Sequence, residues 1–125
     1  MKIYKTKWFH RWAIKEDLTD AVLCSAIAEL ERGLVDALGG YVYKKRVALH
    51  GRGKRGGART LIAFRRGASA FFIYGYPKNE RANIRDDELR ALRLLAGQLL
   101  GYNAQELARA IESGELIEVI DSGKA

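Results

Sequence analysis

The 125-residue sequence holds one cysteine, Cys24, and one proline, Pro77. A lone cysteine leaves no internal disulfide and no thiolate cluster for a metal. In the helical pattern around it, Cys24 reads as a small buried hydrophobe, and the chain as a protein of the reducing cytoplasm. Low proline content goes with the absence of linkers, repeats and low-complexity segments. No apolar run approaches the roughly 18 residues that a membrane-spanning helix needs, so no membrane partner is expected. The first residues, MKIYKTKWFHRW, carry basic groups without an apolar stretch, and no secretory signal is expected there.

Acidic residues are missing from one long stretch. None occurs between Asp36 and Glu80, where ten basic residues stand: Lys44, Lys45, Arg46, Arg52, Lys54, Arg55, Arg59, Arg65, Arg66 and Lys78. The whole chain carries a formal charge of +7, so the remainder is slightly acidic. Positive charge segregated into one folded segment points to a polyanionic partner, nucleic acid or an acidic protein. It also argues against Mg²⁺ chemistry in that segment, because a hard divalent cation needs carboxylate oxygens. No metal or cofactor is expected.

The periodicities predict an α+β domain spanning residues 1–125. Residues 2–5 suit a short strand, and Trp8 to Lys15 a short helix. From about Thr19 to Leu38, the residues Leu23, Ile27, Leu30, Leu34 and Ala37 share one helical stripe, and Gly39-Gly40 then stops the helix. Residues 1–38 thus form an N-terminal strand with helices. The segments YVYKKRVAL, ARTLIAFRR and ASAFFIYGY are rich in β-branched and aromatic residues. They predict a basic antiparallel meander over 41–76, with Arg66-Gly67 in its second turn. Leu89, Leu92, Ala96 and Leu99 mark a helix up to Gly101. Asn103 with Glu106 forms a capping box before another, closed by Gly114. ELIEVI adds a last strand or docking arm, completing a C-terminal region of helices and tail over 86–125. The helices are expected on one sheet face. Trp8, Trp12, Phe71 and Phe72 read as core, and His10 as part of the N-terminal aromatic cluster.

Between the first two predicted strands, Gly51 to Gly56 reads GRGKRG and satisfies the G-x-G-x-x-G pattern. The dinucleotide fingerprint requires a helix after the glycines and an acid about 20 residues on. Here a strand follows, and no acid occurs before Glu80. The segment is therefore a flexible basic hairpin loop whose glycines permit close backbone approach, and whose His50, Arg52, Lys54 and Arg55 suit a phosphate backbone.

Gly39-Gly40, KKRVALHGRGKRGGARTLIAF and YGYPKNERANI, followed by an acidic-started helix, resemble the RelE/HigB branch of bacterial toxin–antitoxin toxins. The paired stretches G-K-R-G-G-x-R and Y-G-x-x-K-N-E lie about 20 residues apart. The likeness is close from about Leu38 to Leu92, weaker over the N-terminal helices and looser after Tyr102. It implies N-terminal helices packed on a small curved antiparallel sheet, with C-terminal helices. It implies a toxin that acts on the ribosome as a metal-independent mRNA endoribonuclease. In that chemistry the substrate's 2′-hydroxyl attacks the adjacent phosphodiester, leaving a 2′,3′-cyclic phosphate and a 5′-hydroxyl. It implies a cognate antitoxin of helix-turn-helix type, through which alone the complex would bind DNA.

Carried onto this chain, the resemblance marks Arg59 as the arginine on the scissile phosphate and Arg46 as a basic strand position sharing a face with Lys44, with Lys45 pointing away. Lys78 matches a lysine after the last strand. Lys54 and His50 are candidates for a missing group, since Ala48 stands where many relatives carry a second lysine. Arg52, Arg55, Arg65 and Arg81 join Lys44 as candidate RNA contacts. Where several relatives place a tyrosine at the start of the last helix, this chain has Arg85. Tyr74 and Tyr76 are the nearest substitutes, and alternation puts both on one face. Two other functions remain open: gyrase inhibition of the ParE-like kind, and non-catalytic binding to RNA or the ribosome.

Overall fold

The computed structural model describes residues 1–49, 53–81 and 83–120. Strand β1 (Ile3–Thr6) leads directly into helix α1 (Lys7–Lys15), whose first turn is capped by the Thr6 hydroxyl accepting from the Phe9 N–H at 3.2 Å. Helix α2 (Asp20–Glu31) is capped in the same way by Thr19. The chain continues through β2 (Asp36–Ala37), β3 (Val42–Leu49), β4 (Gly53–Phe64), β5 (Ala70–Pro77), α3 (Asp86–Leu100), α4 (Ala104–Glu112) and β6 (Leu116–Glu118). The capping box at Asn103 and Glu106 is present. Among the described residues, no helix is long and apolar enough to cross a membrane.

The helical stripe expected to run to Ala37 ends six residues earlier, at Glu31. The Gly33 N–H bonds the Leu30 carbonyl and the Leu34 N–H bonds that of Glu29. These are the two hydrogen bonds of a Schellman motif, and Gly33 takes the positive φ of +83° that it requires. Leu34, 56% exposed, therefore leaves the core. Gly39 and Gly40 do not stop a helix but turn the chain between β2 and β3, both at positive φ. Arg93 of α3 lies over this turn and donates to the Leu38 carbonyl, tying α3 to the sheet.

Among the described residues six strands form one sheet in the order β2-β3-β4-β5-β1-β6. The β3-β4-β5 meander is antiparallel as expected, but the sheet is mixed, because β1 runs parallel to β5. The helices divide between both faces rather than sharing one. Helices α1 and α2 cover a core of Phe9, Leu23, Ile27, Val47, Ile62 and Phe72. Helices α3 and α4 cover a second core on the other face, with Val42, Leu61, Ala63, Phe71, Leu99 and Leu116. This second cluster draws on the Val42 end of β3, and no residue of β3 beyond Val42 belongs to it.

Two irregularities set which side chains meet. Between β4 and β5, Leu61 pairs with Tyr74 while Ile62 pairs with Phe72, so Ile73 is a bulge residue. The bulge keeps Phe71 and Ile73 in the second core and still puts Tyr74 and Tyr76 on that face. Between β3 and β4 the register shifts between Val47 and Leu49, and β4 begins at Gly53. Much of the glycine-rich segment read as loop is therefore strand.

Candidate active site

Residues directly opposite in an antiparallel pair project to the same face. Arg46 of β3 faces Arg59 of β4, and Arg59 faces Tyr76 of β5. The next row holds Lys44, Leu61 and Tyr74. Arg46–Arg59–Tyr76 is thus a line of three polar side chains on the sheet face that carries α3 and α4.

The middle and end of this line are buried. Arg59 is 6% exposed and Tyr76 is 2% exposed, whereas Arg46 is exposed. Among the described residues, neither Arg59 Nη1 nor the Tyr76 hydroxyl has a hydrogen-bond partner. Burying a charged donor without an acceptor costs several kcal/mol, on the order of a whole domain's net stability. Burial pushes the Tyr76 phenol above its ordinary pKa, against the opposing pull of the Arg59 and Arg81 charges, so the hydroxyl stays protonated near neutral pH.

Around Tyr76 the site is tightly organised. Arg81 lies over the rings of Tyr76 and Tyr74, its guanidinium carbon 5.0 and 5.6 Å from their centroids. It donates to both oxygens of Glu88 at 2.6 and 3.0 Å, and to the Tyr74 hydroxyl at 2.6 Å. The Arg81 hydrogen bonds, with the Arg85 backbone N–H, hold the Glu88 carboxyl below its usual range. Lys78 is exposed just beyond β5, and its backbone N–H bonds the Gly57 carbonyl, next to the Arg59 row.

The structure therefore brings Arg46, Arg59, Lys44 and Lys78 to one region, with Arg81 clamped beside them by an acid of α3. Lys45 points away and pairs with Glu29 of α2. Arg65 stands apart. It follows the far end of β4, donates to the Leu100 carbonyl at 3.4 Å and lies over the Tyr41 ring. Arg85 is exposed and paired with Asp87, so it does not take the place of a tyrosine aimed at the row. Lys54 and Arg55 belong to the first residues of β4. His50 and Arg52 fall outside the described residues.

Sequence reasoning left open whether the face of Tyr74 and Tyr76 was core, and it missed the Glu88 clamp. The Tyr74-x-Tyr76 alternation was visible, but the bulge at Ile73 that aligns it with Arg59 has no sequence signature. Trp8, expected in the core, is 47% exposed and stacks on Tyr74 with centroids 4.7 Å apart. Its position follows from Gly75, where a Cβ would meet the Trp12 ring at 2.3 Å; only glycine lets α1 lie this close to β5.

No curated protein matches the chain. A family model described as the RelE toxin of the RelE / RelB toxin-antitoxin system matches residues 1–119. That match spans nearly the whole chain, including both helix pairs and all six strands, and with the α+β architecture it places the protein in the RelE toxin family, as a toxin of a toxin–antitoxin system with an antitoxin partner.

Proposed function

We propose that the protein is a ribosome-dependent mRNA endoribonuclease that needs no metal. The observation that carries this reading is the pair of buried groups, Arg59 Nη1 and the Tyr76 hydroxyl, side by side in one row and without a partner among the described residues. Buried donors left without acceptors fit a ligand that supplies them, and an RNA phosphodiester supplies anionic oxygens. The surface over the row must open as the RNA enters, since both groups are buried in the free protein.

In the proposed step the RNA 2′-oxygen bonds to phosphorus and the bond from phosphorus to the 5′-oxygen breaks. One proton leaves the 2′-oxygen to solvent water and one reaches the 5′-oxygen from the Tyr76 phenol, whose phenolate solvent then reprotonates, so the products are a 2′,3′-cyclic phosphate and a 5′-hydroxyl. Arg59, with Arg46 and Lys78 beside it, stabilises the charge gathering on the phosphoryl oxygens. One such donor is typically worth about 3–4 kcal/mol. Tyr76, held protonated by burial, donates toward the departing 5′-oxygen. Among the described residues no group of three or more His, Cys, Asp or Glu stands together to hold a metal ion, and this reading routes every step through cations and the phenol. The same basic row is the surface that an acidic segment of the antitoxin, of helix-turn-helix type, would cover.

The test maps RNA 5′ ends in a reconstituted translation reaction, with and without ribosomes, for the wild type and Arg59→Ala. Cuts that need ribosomes and vanish in the variant are expected. Intact RNA from a folded, growth-arresting wild type would overturn the nuclease reading in favour of gyrase inhibition or plain ribosome binding.

A further inference from the structure

Trp8 leaves nearly half its surface in water beside the candidate site, and the reaction proposed above does not use it. Its ring, with Tyr74, Ile73 and Leu95, walls an open groove of about 430 Å³ between α1, β5 and α3. That volume lies at the low end of ligand pockets, about 300–1,000 Å³. Two exposed residues, Lys7 and Glu115, also border it, their backbones joined where the Lys7 N–H bonds the Glu115 carbonyl at 3.0 Å.

We propose that this groove receives one nucleobase of the RNA strand whose phosphate lies at Arg59, an inference that rests on the nuclease reading above. Continuity is the first argument. Tyr74 is a wall of the groove and also a member of the site, with its centroid 6.3 Å from that of Tyr76 and its hydroxyl bonded to Arg81. A strand bound to the cations is thereby carried past the aromatic wall. Chemistry is the second argument. Single-stranded RNA is held by cations along its backbone and by aromatic rings against its bases, and this groove adds such rings to a cationic row. The larger groove along α2, bordered by Met1, Ala21, Cys24, Ala28 and Glu118, has neither an aromatic wall nor a link to the row.

The test measures single-turnover cleavage on programmed ribosomes, using a set of mRNAs identical except for one abasic nucleotide near the cut. For the wild type, one abasic position is expected to slow cleavage by about 5- to 150-fold, the range for one stacked base. Trp8→Ala should slow the intact mRNA by a similar factor and make that abasic position no slower than the intact strand. Trp8→Phe, which keeps a ring against Tyr74, should retain an intermediate dependence on the base. An equal slowing of intact and abasic strands by both variants, or no slowing by either, would overturn the proposal while leaving the nuclease reading intact. A wild type that cuts none of the mRNAs would remove the nuclease reading itself. Loss of affinity for the antitoxin alone would reassign the groove to protein docking.

Discussion

The two faces of the sheet treat buried charge in opposite ways. On the face covered by α1 and α2, the buried ammonium of Lys5 meets Asp20 at 3.0 Å and that of Lys45 meets Glu29. The buried Thr60 hydroxyl donates to the Lys45 carbonyl, while His10 Nδ1 of α1 has no partner among the described residues. On the other face Arg59 is equally buried and, among the described residues, has no carboxylate beside it. Paired buried charges join helix to strand and belong to the architecture. A buried charge with no such partner among the described residues does not tie helix to strand, and fits a role toward a ligand. Charge count alone misses this difference: Lys45 and Arg46 are sequence neighbours, and one is an internal strut while the other borders a candidate site.

That contrast is broken most sharply by the same substitution on each face. Arg59→Leu should slow mRNA cleavage by about 10²–10³-fold, as for loss of one charge-stabilising donor, while its urea midpoint stays level or rises. Lys45→Leu should leave cleavage near the wild-type rate yet cost about 2 kcal/mol in urea unfolding. That is less than the roughly 3–5 kcal/mol of a fully enclosed pair, because Glu29 keeps some contact with water. Equal destabilisation by the two would erase the distinction. Tyr76→Phe is the milder version on the active face. It should slow cleavage by about 10²-fold, the lower end for one proton donor, and raise stability by about 1 kcal/mol, since it removes a buried hydroxyl with no partner among the described residues.

The smallest effect concerns pH. Burial pushes the Asp20 carboxyl up, but the Ile120 N–H and the Lys5 ammonium outweigh it and hold the group below its ordinary value. A depressed carboxyl stabilises the fold above its unfolded-state pKa, about 4, and that contribution is lost as pH falls through the lower folded-state value. Urea midpoints recorded from about pH 7 downward should therefore fall in acid for the wild type. Asp20→Asn should begin lower and lose part of that slope.

Much of the scaffold was legible in the sequence. Asn103 caps α4 with Glu106, the three β-rich segments pair as a meander, and Gly114 ends α4 at positive φ. The misreadings have local causes. The apolar stripe of α2 ran on through Leu34 and Ala37 in sequence, but Gly33 closed the helix first. Trp8 reads as core by type, yet α1 runs along the edge of β5, where a ring on its first turn is only half covered.

The acid-free segment, the alternation that separates Arg46 from Lys45 and the caps of the helices were determined by the sequence by itself, because each is a local property of neighbouring residues. Tertiary structure alone decided that Arg59 would be buried with no partner for its Nη1 among the described residues, that a bulge at Ile73 would bring Tyr76 level with it, and that Glu88 would clamp Arg81 over both tyrosines. Each depends on register between strands distant in sequence and on where the second helix pair begins over the sheet. Those relations exist only once the chain has closed on itself.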